Sequence, residues 1–204
     1  MKNAAIFDLD GTLINTPQGI VETFIATLRL MKFNVADASA IRATIGLPLE
    51  KAFSKLMEIE LPDERVGNAV KNYQSLFRDI VLPKAKSLIY PGVEQGLHRL
   101  KEDGFLLAIA TSKVFKSAEA LVKASGLWEY FDFVVGADQV TLPKPHPEMG
   151  FLVMNTLGVS SQHAVMVGDT THDLFMARDA GMRSIAVTYG IHDLVTLQQF
   201  PPAH

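Results

Sequence analysis

The sequence predicts a doubly wound, Rossmann-like parallel α/β sheet, with an all-helical cap inserted behind its first strand. Three observations carry this prediction. From about residue 105 onward, short apolar runs alternate with helical periods, the pattern of a parallel sheet covered on both faces. Between residues 16 and 82 no strand pattern interrupts a series of helical segments. Finally, Asp8, Thr111 and Asp169 each stand at the carboxyl end of a predicted strand, where doubly wound sheets collect their ligands.

The elements follow in order. Ala4-Ala5-Ile6-Phe7 is an apolar run suited to a strand buried on both faces. Thr16-Pro17 marks a helix start, with threonine as N-cap and proline at the first helical position. Ile20, Val21, Phe24, Ile25, Leu28 and Met31 continue it with a helical period. A second helix is expected from Asp37 to Ile45, ending at Gly46, and a third from Leu49 to Ile59 between Pro48 and Pro62. The fourth is the clearest, with Val66, Val70, Tyr73, Phe77 and Ile80 alternating steps of four and three. Residues 16–82 therefore form the helical cap, and 1–15 with 83–204 form the α/β core. After Pro83, a lysine-containing loop and Tyr90-Pro91-Gly92 lead into a helix carrying Val93, Leu97 and Leu100. Strands are expected at Phe105–Ala110, Phe133–Val135, Ala164–Val167 and Ser184–Val187. Helices are expected at Val114–Ser125, Pro147–Leu157 and Thr171–Ala180, each with a glycine behind it. The tail from Gln198 to His204, with Pro201-Pro202, reads as loop.

Composition narrows the function classes. Apolar residues make up 48% and charged residues 20%, ordinary values for a soluble globular protein. A formal net charge of -3, with no aromatics interleaved among basic clusters, argues against a nucleic-acid partner. The chain has no cysteine, so disulfides and thiol chemistry are excluded, and a reducing compartment is compatible. No apolar run approaches the roughly 20 residues of a membrane helix, and the N-terminus runs straight into a strand without a signal peptide. The expectation is a cytoplasmic protein with a small-molecule partner.

The chemistry starts at Asp8-Leu9-Asp10-Gly11-Thr12. Residues i and i+2 of an extended chain point to one side, so Asp8 and Asp10 would aim together if the strand continued. Gly11 suggests that the strand ends there in a turn that other residues resist. Two crowded carboxylates invite a hard cation such as Mg2+, with room for a phosphate. A bare Asp-x-Asp is also what an acidic turn after an edge strand looks like. Three further motifs follow in the chain: Ala110-Thr111-Ser112-Lys113, Lys144-Pro145-His146-Pro147 and Gly168-Asp169-Thr170-Thr171-His172-Asp173.

Together these four motifs, in this order and across nearly the whole chain, resemble those of the haloacid dehalogenase superfamily of phosphohydrolases. They are most similar in style to phosphoglycolate-phosphatase-like enzymes with a helical cap between the first and second motifs. The resemblance implies a central first strand with the Asp169 strand beside it. It also implies a lid hinged near Leu13–Thr16 and Pro83–Pro91. Asp8 would attack phosphorus and form a phosphoaspartyl intermediate. Asp10 would serve as acid and base, giving Mg2+ only its backbone carbonyl. Asp8, Asp10 and Asp169 form the expected metal set, supported by Asp173 through water or by orienting Lys144. Gly11, Thr111, Ser112 and Lys144 form the expected substrate-binding set. Thr111 and Ser112 read equally well as helix caps, and Asp169 and Asp173 could cap a helix too. Prolines 143, 145 and 147 stiffen the loop that would hold Lys144 as a clamp. Lys113 reads as a solvated side chain, and His146 as an N-cap. His172 among acids invites a zinc reading that hard-cation chemistry outcompetes.

Asn15 departs from the acid often found just after the family's first motif. Arg42, Gly46 and Leu47 fall in a turn that either faces the substrate or merely ends a helix. The expected reaction is Mg2+-dependent hydrolysis of a small phosphorylated metabolite, with phosphoglycolate first. A pyrophosphatase, a sugar-phosphate phosphatase or a phosphomutase would use the same acids. Phosphonate hydrolysis would need a lid lysine such as Lys32, Lys51 or Lys55. A dehalogenase has no need of an acid at position 10. A receiver-like signalling module uses similar residues but places its phosphoacceptor after the third strand, without a helical insertion.

Overall fold

The computed structural model describes residues 2–199. Five parallel strands, β1 (Ala4–Phe7), β2 (Leu106–Ala110), β3 (Phe133–Val135), β4 (Ala164–Gly168) and β5 (Arg183–Ala186), form one sheet in the order β3-β2-β1-β4-β5. The central place of β1 follows from its sequence. All four residues are apolar and buried, so the strand fits only where both faces and both edges are covered. Ile6 pairs with Ala108 on one side and Met166 on the other.

Helices α5 (Val93–Glu102), α6 (Phe115–Ser125), α7 (Glu148–Leu157) and α8 (Thr171–Asp179) cover the sheet. Ile6, Ala108 and Met166 pack with Met149, Val153 and Met176 of α7 and α8. Phe7, Leu107 and Ile109 share the opposite core with Leu97 of α5 and Leu121 of α6. Burying an Ile, Leu or Phe side chain contributes about 1.5–3 kcal/mol, so this alternation of side chains holds the strand in register.

Between β1 and β2 come α1 (Pro17–Leu30), α2 (Ala38–Arg42), α3 (Leu49–Met57) and α4 (Glu64–Ile80), with no strand among them. Their centre is aromatic: Phe24 lies 4.6 Å from Phe53 and 4.7 Å from Tyr73, ring centre to ring centre. Such tilted pairs add to area burial. Three expectations change in detail. Helix α2 is only five residues long, capped by the Asp37 carboxylate on the Ala40 amide, and the chain then turns to Gly46. The crossing back to the core is not a plain loop, since Leu82–Leu88 forms a 3-10 helix. A short α9 (Leu194–Gln198), capped by Asp193, follows the last strand. Of the loop expected from Gln198 to His204, Gln198 ends this helix instead, and residues 200–204 lie outside the described residues.

Candidate active site

The sheet delivers the site because β1, β2 and β4 all end at one edge. The Asp8 amide still donates to the Val167 carbonyl at 2.9 Å, so pairing continues one residue past β1. The chain then turns at Gly11 with φ of +89°. A Cβ at Gly11 would collide with the Asp169 carboxylate, and so would one at Gly190. Both positions therefore need glycine to let backbone approach the acid.

Lys144 organises the buried charges. Its ammonium donates to Asp8 Oδ1 at 2.8 Å, to Asp173 Oδ1 at 2.6 Å and to the Ala110 carbonyl at 3.0 Å. The lysine is only 5% exposed and Asp173 is fully buried, so the charges are compensated by each other rather than by water. Burial works against the ammonium, but Asp173 and Asp8 outweigh it and hold the Lys144 pKa above its usual value. Asp173 also closes the start of α8, its Oδ2 accepting from the Thr170 amide at 3.0 Å and the Thr170 hydroxyl at 2.7 Å. One carboxylate thus caps the helix and holds the lysine.

Asp169 is fully buried and fixed from two sides. Thr12 donates its hydroxyl to Oδ1 at 2.8 Å, and the Ile191 amide donates to Oδ2 at 2.7 Å. Asp8, Asp169 and Asp173 each offer an oxygen within 4.8 Å of the others. Burial pushes the Asp8 carboxyl up to about 8, with repulsion from Asp173 and Asp169 adding to it. Burial and Asp173 likewise raise Asp169 to about 6. One ammonium does not satisfy three buried acids, and an all-oxygen donor set of this size fits a hard divalent cation such as Mg2+.

The Asp10 carboxylate is held apart from that cluster. Thr16 donates its hydroxyl to Oδ1 at 2.6 Å, and the Lys113 ammonium reaches Oδ2 at 3.2 Å. Thr16 occupies the N-cap position of α1, but its side chain makes no capping bond and serves Asp10 instead. Lys113 corrects the expectation of a solvated side chain: it is about one-tenth exposed and its ammonium lies 4.3 Å from the Phe77 ring centre. Both the acid and the aromatic face attract it. Nothing in the local sequence marked it, because its partners come from the turn after β1 and from α4.

Thr111 and Ser112 do not cap α6. That helix begins at Phe115 behind Val114, and the Phe115 amide donates to Asp138 Oδ1 at 2.6 Å. The Thr111 hydroxyl accepts from the Lys113 amide at 3.2 Å. His146 stands one residue before the N-cap Pro147 of α7, which begins at Glu148 rather than Pro147, and its Nδ1 accepts from the Glu148 amide at 3.3 Å. His172 lies outside the acid cluster, with its Nδ1 buried and unpartnered. Asn15 accepts from the Tyr90 hydroxyl at 3.2 Å.

A cavity of about 60 Å³ lies between these core residues and the inserted helices. Asp8, Asp10, Thr111, Ser112 and Lys113 line it from the core, while Gly46 and Leu47 reach it from the turn after α2. Arg42 points elsewhere, donating to Gln18 Oε1 at 3.1 Å. Lys32, Lys51 and Lys55 are exposed and do not line this cavity. Among the described residues, no helix is long and apolar enough to cross a membrane.

Comparison with known proteins agrees with this geometry. A profile for haloacid dehalogenase-like hydrolases matches residues 5–187. The chain is 57% identical over 202 residues to "Probable phosphatase IndB" of Dickeya dadantii, covering 99% of this chain and 88% of that protein. It is 36% identical over 203 residues to "Pyrophosphatase PpaX" of Halalkalibacterium halodurans, covering 98% and 90%. A crystal structure from Clostridium acetobutylicum, described as a predicted phosphatase, superposes with a TM-score of 0.81 at 30% identity, covering 98% and 90%. One from Bacteroides fragilis, described as a haloacid dehalogenase-like hydrolase, gives 0.88 at 25%, covering 98% and 94%. With its family profile spanning almost the whole chain and relatives that are phosphatases by name, this protein belongs to the haloacid dehalogenase-like hydrolases.

Proposed function

We propose that the protein is a Mg2+-dependent phosphatase of a small phosphorylated metabolite, working through a phosphoaspartyl intermediate on Asp8. The carrying observation is the buried Asp8–Lys144–Asp173 arrangement beside Asp169. It gathers the candidate nucleophile, a fixed cation and a set of carboxylate oxygens at one edge of the sheet. Asp8 and Asp169, with the Asp10 backbone carbonyl and support from Asp173, would hold the metal. Bound there, Mg2+ would supply positive charge against a phosphoryl oxygen and ease the approach of one anion to another.

The chain's own residues do the rest. An Asp8 oxygen attacks phosphorus as the ester oxygen leaves, and the Lys144 ammonium neutralises charge that develops on the phosphoryl oxygens. Hydroxyls of Thr111 and Ser112 orient the same oxygens. Asp10 gives its proton to the departing alcohol, then takes one from the water that attacks the phosphoaspartate, releasing inorganic phosphate and restoring Asp8. Thr16 holds Asp10 for both steps. Residues 16–82 act as the cap over the cavity, with crossings near Leu13–Thr16 and Pro83–Pro91.

Phosphoglycolate and pyrophosphate are the substrates suggested first, by family resemblance and by a relative's name respectively. Phosphate release from a panel of phosphorylated metabolites, with Mg2+ and with chelator, tests the reading. Metal-dependent turnover that Asp8→Asn abolishes is expected; full activity in chelator would overturn it.

A further inference from the structure

The cavity beside Asp8 and Asp10 is walled by Ile20, Phe24, Ile45, Leu49, Tyr73 and Phe77. The phosphoryl group belongs against the core carboxylates, so the rest of the substrate must lie against this apolar wall. Lys113 is the one cation among the lining residues, and it is engaged with Asp10 and with the Phe77 face. The remaining polar groups away from the acids are neutral. Gln74 and Ser117 line the cavity, and their side chains make no hydrogen bond among the described residues. The cations Lys71, Arg78 and Lys116 line an adjoining outer groove of about 450 Å³ that shares Gln74, Phe77 and Ser117 with the cavity. A second charge placed next to the phosphoryl group would be desolvated against hydrocarbon without a free partner.

From this juxtaposition of an apolar wall with neutral hydrogen-bonding groups, we infer that the leaving group is an uncharged alcohol. It has an apolar or ring-shaped body and a neutral polar edge that meets Gln74. The inference rests on the phosphatase reading and ranks such esters above both phosphoglycolate and pyrophosphate, whose second charge would lie against this apolar wall. Pockets of this kind use hydrophobic walls for affinity and a few polar groups for orientation.

The test compares kcat/KM for benzyl phosphate, phosphoglycolate and pyrophosphate, with 4-nitrophenyl phosphate as a reporter of the reaction itself. Benzyl phosphate and phosphoglycolate are both esters of primary alcohols, so their comparison reads the loss of charge together with the gain of an apolar body, and the Gln74 variants isolate the charge. Wild type should favour benzyl phosphate over both anionic substrates by at least about tenfold, one decade being 1.36 kcal/mol of transition-state free energy. Gln74→Lys, a substitution a helix accepts readily, should narrow the gap about tenfold, and Gln74→Glu should widen it. A wild-type preference for phosphoglycolate or pyrophosphate overturns the inference, as does a ranking indifferent to both substitutions. Turnover of 4-nitrophenyl phosphate shows that the reaction stands whichever way the ranking falls; its absence would overturn the phosphatase reading and this inference with it.

Discussion

The raised carboxyls of the acid cluster make Mg2+ affinity a function of pH. Asp8 sits at about 8 and Asp169 at about 6, so a metal ion must displace protons to bind below those values. At pH 6, two units below the Asp8 value, the apparent affinity should be weaker by about 100-fold than well above pH 8. That corresponds to about 2.7 kcal/mol, at 1.36 per unit. Asp169, half protonated at pH 6, adds roughly a further factor of two. Metal-free stability should run the other way. Between the ordinary 3.8 of an aspartate and about 8, the folded chain binds more protons at Asp8 than the unfolded chain does. Stability contributed by that proton is therefore lost as pH rises through the window. Isothermal titration with Mg2+ at pH 6 and 8.5, with thermal melts in chelator at both, measures the two effects. Asp8→Asn should bind Mg2+ more weakly at pH 8.5 yet show a much flatter pH dependence. A Kd for Mg2+ equal at pH 6 and 8.5 in the wild type would refute the assignment of Asp8 as a desolvated, proton-competed ligand.

Three substitutions extend the reasoning. Asp8→Asn should lower turnover by roughly 10^4 or more, the scale of losing a central catalytic group, in steady-state assays on protein shown to be folded by circular dichroism. Asp10→Asn should give a burst of nitrophenol from 4-nitrophenyl phosphate followed by slow turnover in rapid-quench experiments. A good leaving group needs no proton, but the attacking water still needs a base; equal slowing of good and poor leaving groups would count against the role of Asp10. Lys144→Met leaves Asp8 and Asp173 buried without their cation. Urea melts at pH 8 in chelator should show a loss of about 3–5 kcal/mol, shrinking at pH 5 as the acids take up protons, and a loss that is equal at both values would argue against the charge account.

What the linear chain determined by itself is local and periodic. Ala4-Ala5-Ile6-Phe7 can only be comfortable at the centre of a covered sheet, and it lies there between β2 and β4. The period through Val66, Val70, Tyr73 and Phe77 produces α4, and glycines behind α6 and α7 adopt left-handed caps at +83° and +65°. The acids and Lys144 were visible too, because carboxylates and lysine are conspicuous at strand ends and in a proline-bound loop. The groups that hold them were not. Thr12, Thr16, Lys113 and Ile191 take their parts only through partners 157, 6, 103 and 22 positions away, respectively, at Asp169, Asp10, Asp10 and Asp169. Thr16 read as a cap because a hydroxyl before proline looks alike whether it faces its own helix or another acid. Lys113 read as solvated because only tertiary packing sets an acid and a ring beside it. Charge pairing and desolvation depend on distances between segments brought together by folding, and periodicity along the chain carries no record of those distances.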